Sequence, residues 1–161
     1  MVHNGIVENS RELHQELIRR GHKFTSETDT EVIPHLVEDE LKNGCSLEQA
    51  VLHTAQRLEG SYAFLVVSLG DPGKIAGTRR NNPLIVGTNA PDYYVSSDAL
   101  AFSQYTDQVM NLEDNEVVVL SRQGVEFFDA RGCKLVKQPR KLDHSWAESS
   151  KDGYPHFMLK E

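Results

Sequence analysis

The sequence predicts an α+β protein with antiparallel sheets, and three observations predict it. Ahead of Gly60, apolar side chains recur at helical spacing between capping signals. After Gly60, the chain breaks into short β-branched runs separated by close turns, the pattern of antiparallel sheet. Helices come first and strands follow, which is the order of the α+β class. At 161 residues, with 39% hydrophobic and 25% charged side chains, the chain is one domain or a large piece of one, with enough apolar material for a packed core.

The elements follow in order. Val2 to Asn9 reads as a strand ending in an Asn4-Gly5 turn. Asn9 is placed to cap a helix, with Glu12 as its capping-box partner and Leu13, Leu17 and Ile18 on one face. Gly21 ends this helix, since a C′ glycine takes positive φ at little cost. His22 to Ser26 is a short strand candidate. A second helix follows Thr28-Asp29-Thr30, with Val32, Ile33, Leu36, Val37 and Leu41 as its buried stripe and Asn43-Gly44 as its stop. A start at Asp29 or Thr30 puts the Pro34 ring at the edge of the first turn, where its missing N–H begins to matter; a local kink or a later start relieves this. Ser46 starts a third helix, boxed by Gln49, with Leu47, Ala50, Val51 and Leu58 facing inward.

Strands are expected at Tyr62 to Leu69, Lys74 to Thr78, Leu84 to Thr88, Tyr93 to Ser97, Gln108 to Leu112, Glu116 to Ser121, Val125 to Asp129 and Lys134 to Lys137. Gly70-Asp71-Pro72-Gly73 is a hairpin turn, and Asp98 to Phe102 a single helical turn. Beyond Gln138 the chain becomes polar and irregular, and Tyr154 to Glu161 is placed to begin another helix. There is no internal repeat and no low-complexity tract.

Several functions are excluded by composition. A net charge of −7 gives no general attraction to nucleic acid or anionic lipid. No apolar run approaches the ~18–20 residues of a membrane span. Met1-Val2-His3-Asn4-Gly5 lacks the basic start and apolar stretch of a signal peptide. Cys45 and Cys133 stand far apart in no paired motif, so a reducing cytoplasm is the expected compartment. His3, His14, His22, His35, His53, His144 and His156 form no H-E-x-x-H and no Cys/His ligand spacing, so no metal site is expected. No phosphate-cradling loop or nucleophile elbow is present, and no cofactor is called for.

Two segments carry chemistry. Val2-His3-Asn4-Gly5-Ile6-Val7-Glu8-Asn9 is one, and Ser26-Glu27-Thr28-Asp29-Thr30-Glu31-Val32 is the other. Together, at this separation, they resemble the glutaminase domain of the class II, N-terminal-nucleophile amidotransferases. Gly77-Thr78-Arg79-Arg80-Asn81-Asn82-Pro83-Leu84-Ile85-Val86-Gly87 is similar to that family's arginine-bearing segment ahead of Pro-Leu. Ser96-Ser97-Asp98-Ala99-Leu100-Ala101, then Leu112-Glu113-Asp114-Asn115-Glu116-Val117, resembles its strand–turn–strand. His156-Phe157-Met158-Leu159-Lys160-Glu161 resembles the stretch leading into the sugar-isomerase half of the glutamine–fructose-6-phosphate aminotransferases. Asn81-Asn82 depart from the family's more usual Gly-Ser, and Leu159 from Gln.

The resemblance implies a four-layer αββα sandwich, of which residues 1–161 would be the C-terminal two-thirds of the glutaminase domain. It implies hydrolysis of L-glutamine and passage of ammonia to fructose 6-phosphate, the sugar being handled by an isomerase domain outside this sequence. Asn4 would donate its side-chain amide to the oxyanion and Gly5 its backbone N–H. Asp29 would bind the glutamine α-ammonium by a charge-assisted hydrogen bond. The family's nucleophile is an N-terminal cysteine. Neither Cys45 nor Cys133 matches it, so the chain by itself is expected not to hydrolyse glutamine. Sheet edges that the family covers with its first third are expected to drive oligomerisation or to need that segment. A non-catalytic binding module, and a piece of a different class II amidotransferase, are the alternative readings.

Overall fold

The computed structural model describes residues 1–142. In chain order the elements are β1 (Val2–Val7), α1 (Ser10–Arg19), a 3-10 turn (Asp29–Glu31), α2 (Val32–Lys42), α3 (Leu47–Arg57), β2 (Gly60–Ser68), β3 (Asp71–Arg80), β4 (Ile85–Asn89), β5 (Asp92–Ser96), a second 3-10 turn (Ala99–Ala101), β6 (Gln108–Asn111), β7 (Val117–Ser121), β8 (Gly124–Phe128), β9 (Lys134–Leu135) and β10 (Arg140–Lys141). The strands form two antiparallel sheets, ordered β1-β2-β3-β7-β8-β9 and β10-β6-β4-β5.

The two-residue period of the strands sorts the core into layers. Tyr62, Phe64, Val66, Ala76, Val117 and Val119 face the helices and pack with Leu17, Ile33, Leu36 and Val51. Ala63, Val118, Leu120 and Phe127 face the second sheet and meet Leu84, Val86, Met110 and Leu112. The second sheet's outer face carries Val109 against Ala99 and Phe102 of the second 3-10 turn. The described residues therefore stack as helices, sheet, sheet, with that turn on the outside. A fully buried Leu, Val or Phe contributes roughly 1.5–3 kcal/mol, against about 1 kcal/mol for a cap. Burial on the sheet, not capping, holds the helices.

α3 starts on the expected capping box, with Gln49 N–H donating to Ser46 Oγ and Ser46 N–H to Gln49 Oε1. α2 begins at Val32 after the 3-10 turn, which leaves Pro34 inside the first turn, where no helical bond needs its N–H. Its stripe is buried at Val32, Ile33, Leu36 and Val37. Gly21 has φ +96 beyond α1.

Other expectations are corrected. Asn9 makes no side-chain cap. Its Nδ2 donates to Arg57 O at 2.9 Å and its Oδ1 accepts from Glu59 N–H at 3.1 Å. A tertiary tie to the α3–β2 connection thus occupies both of its polar atoms. Ile18 is 50% exposed, one position outside the face formed by Leu13 and Leu17. Asn4-Gly5 makes no turn, because β1 runs through it, paired with β2 from Val2↔Leu65 to Val7↔Gly60. His22–Ser26 joins no sheet; Glu31 draws the backbone N–H groups of Thr25 and Ser26 away from any ladder. The hairpin after β2 turns at Leu69-Gly70, and Pro72 and Gly73 fall in a bulge between the Ser68↔Asp71 and Val67↔Ile75 pairs, where the missing N–H of proline is tolerated. Lys134–Leu135 is shorter than expected, and Arg140–Lys141 pairs with β6 where irregular chain was expected. The Tyr154–Glu161 helix and its Met158-Leu159-Lys160-Glu161 stretch lie outside the described residues. Among the described residues no helix is long and apolar enough to cross a membrane.

Candidate active site

Among the described residues β1 is an edge strand, with β2 on one side and no strand on the other. Its pleat turns His3 and Val7 toward the helices and Asn4 toward the second sheet. Asn4 Nδ2 donates to Ser97 Oγ, just past β5, at 3.1 Å. Asn4 O accepts from Asn82 Nδ2 at 3.0 Å. Asn82 Oδ1 accepts from Ser61 Oγ at 3.4 Å. Asn4, Asn82, Pro83, Ser97, Asp98 and Leu100 line a cavity of about 800 Å³, with Arg140 and Lys141 also on its wall.

The loop bearing Asn82 is held from behind. Arg79 donates to Asn82 O through Nε and to Leu112 O at 3.0 Å, and pairs with Asp114 at 2.8 Å. Asp114 also accepts the Asn81 N–H at 2.9 Å, at a position with φ 60 that asparagine tolerates better than most residues.

Gly5 has φ +121, a conformation open to glycine. A Cβ there would lie 2.6 Å from Asn82 Nδ2 and 2.8 Å from Tyr62 Cα, and would collide with Ser61 O. Glycine is therefore required by space as well as by backbone.

The acidic segment wraps onto the same strand. Asp29 Oδ2 accepts the Val7 N–H at 2.7 Å, and Thr30 Oγ1 meets His3 Nδ1 at 2.9 Å. Burial holds the His3 pKa below its ordinary value of 6.5, partly offset by the Asp29 charge. Glu31 closes the loop, accepting from Thr25 N and Oγ1 at 2.8 and 3.0 Å and from Ser26 N and Oγ at 2.7 and 2.5 Å. The Ser26 hydroxyl, then the Thr25 N–H, hold its carboxyl down to about 2.

Asn4 and Gly5 on β1 and Asp29 in the 3-10 turn against it are thus brought together, but Asn4 and Asp29 do not line one hollow. Asn4 faces the inter-sheet cavity, while Asp29 borders a smaller hollow of about 290 Å³ with Ser10, His14 and Ser26. The open edge of β1 is the boundary between them. Cys45 stands at the α2–α3 connection beside Glu40 and His53, on the helical layer. Cys133 is exposed in the β8–β9 turn, at the opposite end of the sheet from β1.

Sequence reasoning did not find Asn82 and Ser97 as partners of Asn4. They are 78 and 93 residues away, so no local spacing shows the contact. The signals present were the Asn81-Asn82 departure and the Ser97-Asp98 pair.

Layered sheets with this edge-strand site match a known class. Glutamine phosphoribosylpyrophosphate amidotransferase from B. subtilis, solved with ADP and GMP, superposes with TM-score 0.70 at 26% identity, over 80% of this chain and 28% of that one. This is the N-terminal-nucleophile fold. A glutamine aminotransferase class-II domain protein from Silicibacter pomeroyi shares the fold at TM-score 0.52 and 18% identity, over 80% of this chain and 64% of that one. The family model described as "Glutamine amidotransferase domain" matches residues 1–104, and the chain belongs to that family. Among proteins of known name, glutamine–fructose-6-phosphate aminotransferase (isomerizing) of Methanothermobacter thermautotrophicus is 44% identical over the whole chain and 27% of its own length. Its counterpart in Thermotoga maritima is 43% identical, over the whole chain and 26% of its own length. The chain spans about a quarter of the length of these relatives.

Proposed function

We propose that the chain is the glutamine-hydrolysing part of a glutamine–fructose-6-phosphate aminotransferase, with Asn4 and Gly5 as oxyanion donors and Asp29 as the anchor of the glutamine α-ammonium. The observation that carries this reading is the bond from Val7 N–H to Asp29. In a strand, alternate N–H groups point the same way. If Val7 N–H points out from the open edge to Asp29, the Gly5 N–H shares that direction. Two residues of strand separate them by about 7 Å, close to the reach of an extended glutamine from its α-amino nitrogen to its amide oxygen. Asp29 retains Oδ1 for the ammonium, and the Asn4 amide supplies the second donor from the cavity side.

Attack on the glutamine amide carbon turns its carbonyl oxygen into an oxyanion, which Asn4 and Gly5 stabilise more strongly than they stabilise the amide. Collapse of the intermediate releases ammonia. The attacking thiol belongs outside these 161 residues, since Cys45 and Cys133 both stand away from β1. Fructose 6-phosphate is the acceptor on a separate domain. Val2 and Ile6, 64% and 65% exposed on the side of β1 that carries Asn4, form an apolar strip for further protein to cover, whether another segment or a second subunit.

The test is glutamate release by the full-length protein. Asn4→Ala lowers kcat for glutamine hydrolysis about 10²–10³-fold with little change in KM, while Cys45→Ser and Cys133→Ser retain activity. The isolated chain releases no glutamate. Activity of the isolated chain, or an unaffected Asn4→Ala, overturns the reading.

A further inference from the structure

A second constellation lies behind the Asp29 segment, away from the open edge of β1. His22, in the loop after α1, meets α2 at His35, Glu38 and Asp39. His22 Nδ1 is 3.0 Å from His35 Nδ1. Glu38 Oε2 is 3.5 Å from the former and 3.7 Å from the latter. The two outer ring nitrogens each face a carboxylate: His22 Nε2 lies 2.6 Å from Asp39 Oδ1, and His35 Nε2 lies 3.8 Å from Glu31 Oε1.

Hydrogen bonds alone account for this poorly. His22 Nε2–H donates to Asp39, which leaves Nδ1 of a neutral His22 as an acceptor. His35 Nδ1–H then donates to it, and the neutral His35 presents an Nε2 lone pair toward the Glu31 carboxylate. That nitrogen is buried with no hydrogen-bond partner. A proton on His35 turns that repulsion into attraction at 3.8 Å, still short of a hydrogen bond, and leaves Glu38 Oε2 at 3.5 and 3.7 Å beyond good hydrogen-bond length from both rings. One cation at the centre gives both Nδ1 atoms and Glu38 Oε2 a shared partner. Both Nδ1 lone pairs and Glu38 Oε2 converge on it, His22 Nε2–H donates to Asp39, and His35 Nε2–H has the Glu31 carboxylate 3.8 Å away as an electrostatic neighbour. Ligands about 2.1 Å from a tetrahedral zinc ion stand about 3.4 Å apart, within a few tenths of an ångström of the three separations. Carboxylates behind ligating histidines are the usual outer support of such sites. The surrounding cations use other oxygens: Lys42 takes Glu38 Oε1 at 2.7 Å, and Arg20 takes Asp39 Oδ2 at 3.3 Å.

We propose that His22 Nδ1, His35 Nδ1 and Glu38 Oε2 bind one zinc-type divalent cation, with Asp39 and Glu31 orienting the two rings. Three protein ligands leave the fourth position to water. The ion clips the His22–Thr28 loop to α2 and so fixes the approach to Asp29. The sequence motif, H-x₁₂-H-x₂-E, has no local ligand spacing, because a loop and a helix supply the ligands separately. The neighbouring group of Glu40, Cys45 and His53 is weaker, since His53 already bonds Glu40 directly at 2.7 Å.

The test is zinc titration of the metal-stripped full-length protein against a chromophoric chelator, with cobalt(II) absorption as a second readout. The expected result is one ion per chain, bound at least tenfold more weakly by Glu38→Gln and 10–100-fold more weakly by Asp39→Asn. His53→Gln and Cys45→Ser keep the affinity. Cobalt gives four-coordinate visible bands without a thiolate charge-transfer band. Glu38 is half-exposed, so Glu38→Gln leaves the fold intact and reads the site even if the histidine variants do not fold. Absence of stoichiometric zinc, affinity unchanged in Glu38→Gln, or a thiolate band each overturns the proposal. Glutamine hydrolysis is not the readout, so this result stands apart from the fate of the glutaminase reading.

Discussion

The carboxylate of Asp29 accepts the backbone N–H of Val7 at 2.7 Å. The contact covers an edge-strand donor that would otherwise be a template for pairing, and it fixes one oxygen of Asp29 at the strand proposed to receive glutamine. The two roles are separable by substitution. Asn in place of Asp29 keeps an acceptor for Val7 but loses the charge. A hydrogen bond to a charged group is worth about 1.5–3 kcal/mol, so Asp29→Asn should raise KM for glutamine roughly 10–150-fold with the melting temperature nearly unchanged. Asp29→Ala should lower both affinity and stability. Steady-state kinetics beside thermal melts decide this, and an unchanged KM in Asp29→Asn removes Asp29 from the site.

Gly5 and Gly44 both have positive φ, at +121 and +89. Around Gly44 there is open space, whereas a Cβ on Gly5 meets Tyr62 Cα at 2.8 Å. Gly44→Ala should cost only the left-handed backbone, about 1–2 kcal/mol. Gly5→Ala should cost distinctly more, since β1 must also move off β2. Urea unfolding of the two variants ranks them, and equal losses would show that β1 is free to shift.

Asn9 tests whether it acts as a cap or as a tie. Asp and Asn cap helices about equally well. In Asn9→Asp, however, the donor to Arg57 O is replaced by an oxygen, which leaves that carbonyl without its partner. The expected loss is about 1–3 kcal/mol. A neutral Asn9→Asp in denaturant melts would return Asn9 to a capping role.

His3 gives a pH dependence. Its folded pKa lies below the ordinary 6.5 because of burial, so the unfolded chain binds the proton first as pH falls. Its contribution to stability is complete above 6.5 and is lost as pH drops from there through the folded value. Unfolding free energies measured from pH 7.5 to 5 should fall more steeply in the wild type than in His3→Gln. Parallel slopes, or an NMR titration of His3 at or above 6.5, would contradict this.

Much of the architecture was legible because its causes are local. The stripe Val32, Ile33, Leu36, Val37 and the Ser46–Gln49 box mark α2 and α3 within a few residues, and an apolar, β-branched run ahead of a turn cluster marks β2. The pairing of the Asn4-Gly5 and Asp29 segments was legible only through their resemblance to a family. Places where a local signal competed with a distant partner were misread: the Asn4-Gly5 turn lost to pairing with β2, and the Asn9 cap lost to Arg57 and Glu59.

By itself the sequence determined the α+β class, the helix periods and, through its resemblance to a family, the residues proposed for a glutaminase site. Tertiary structure alone decided that Asn82 and Ser97 hold Asn4, that Asp29 sits on the open edge of β1, and that His22 meets His35 and Glu38. The reason is physical. Helical and strand periods are set by neighbours a few residues apart, whereas these contacts depend on which strands lie side by side and on which helix covers them, and that is fixed only when the whole core packs.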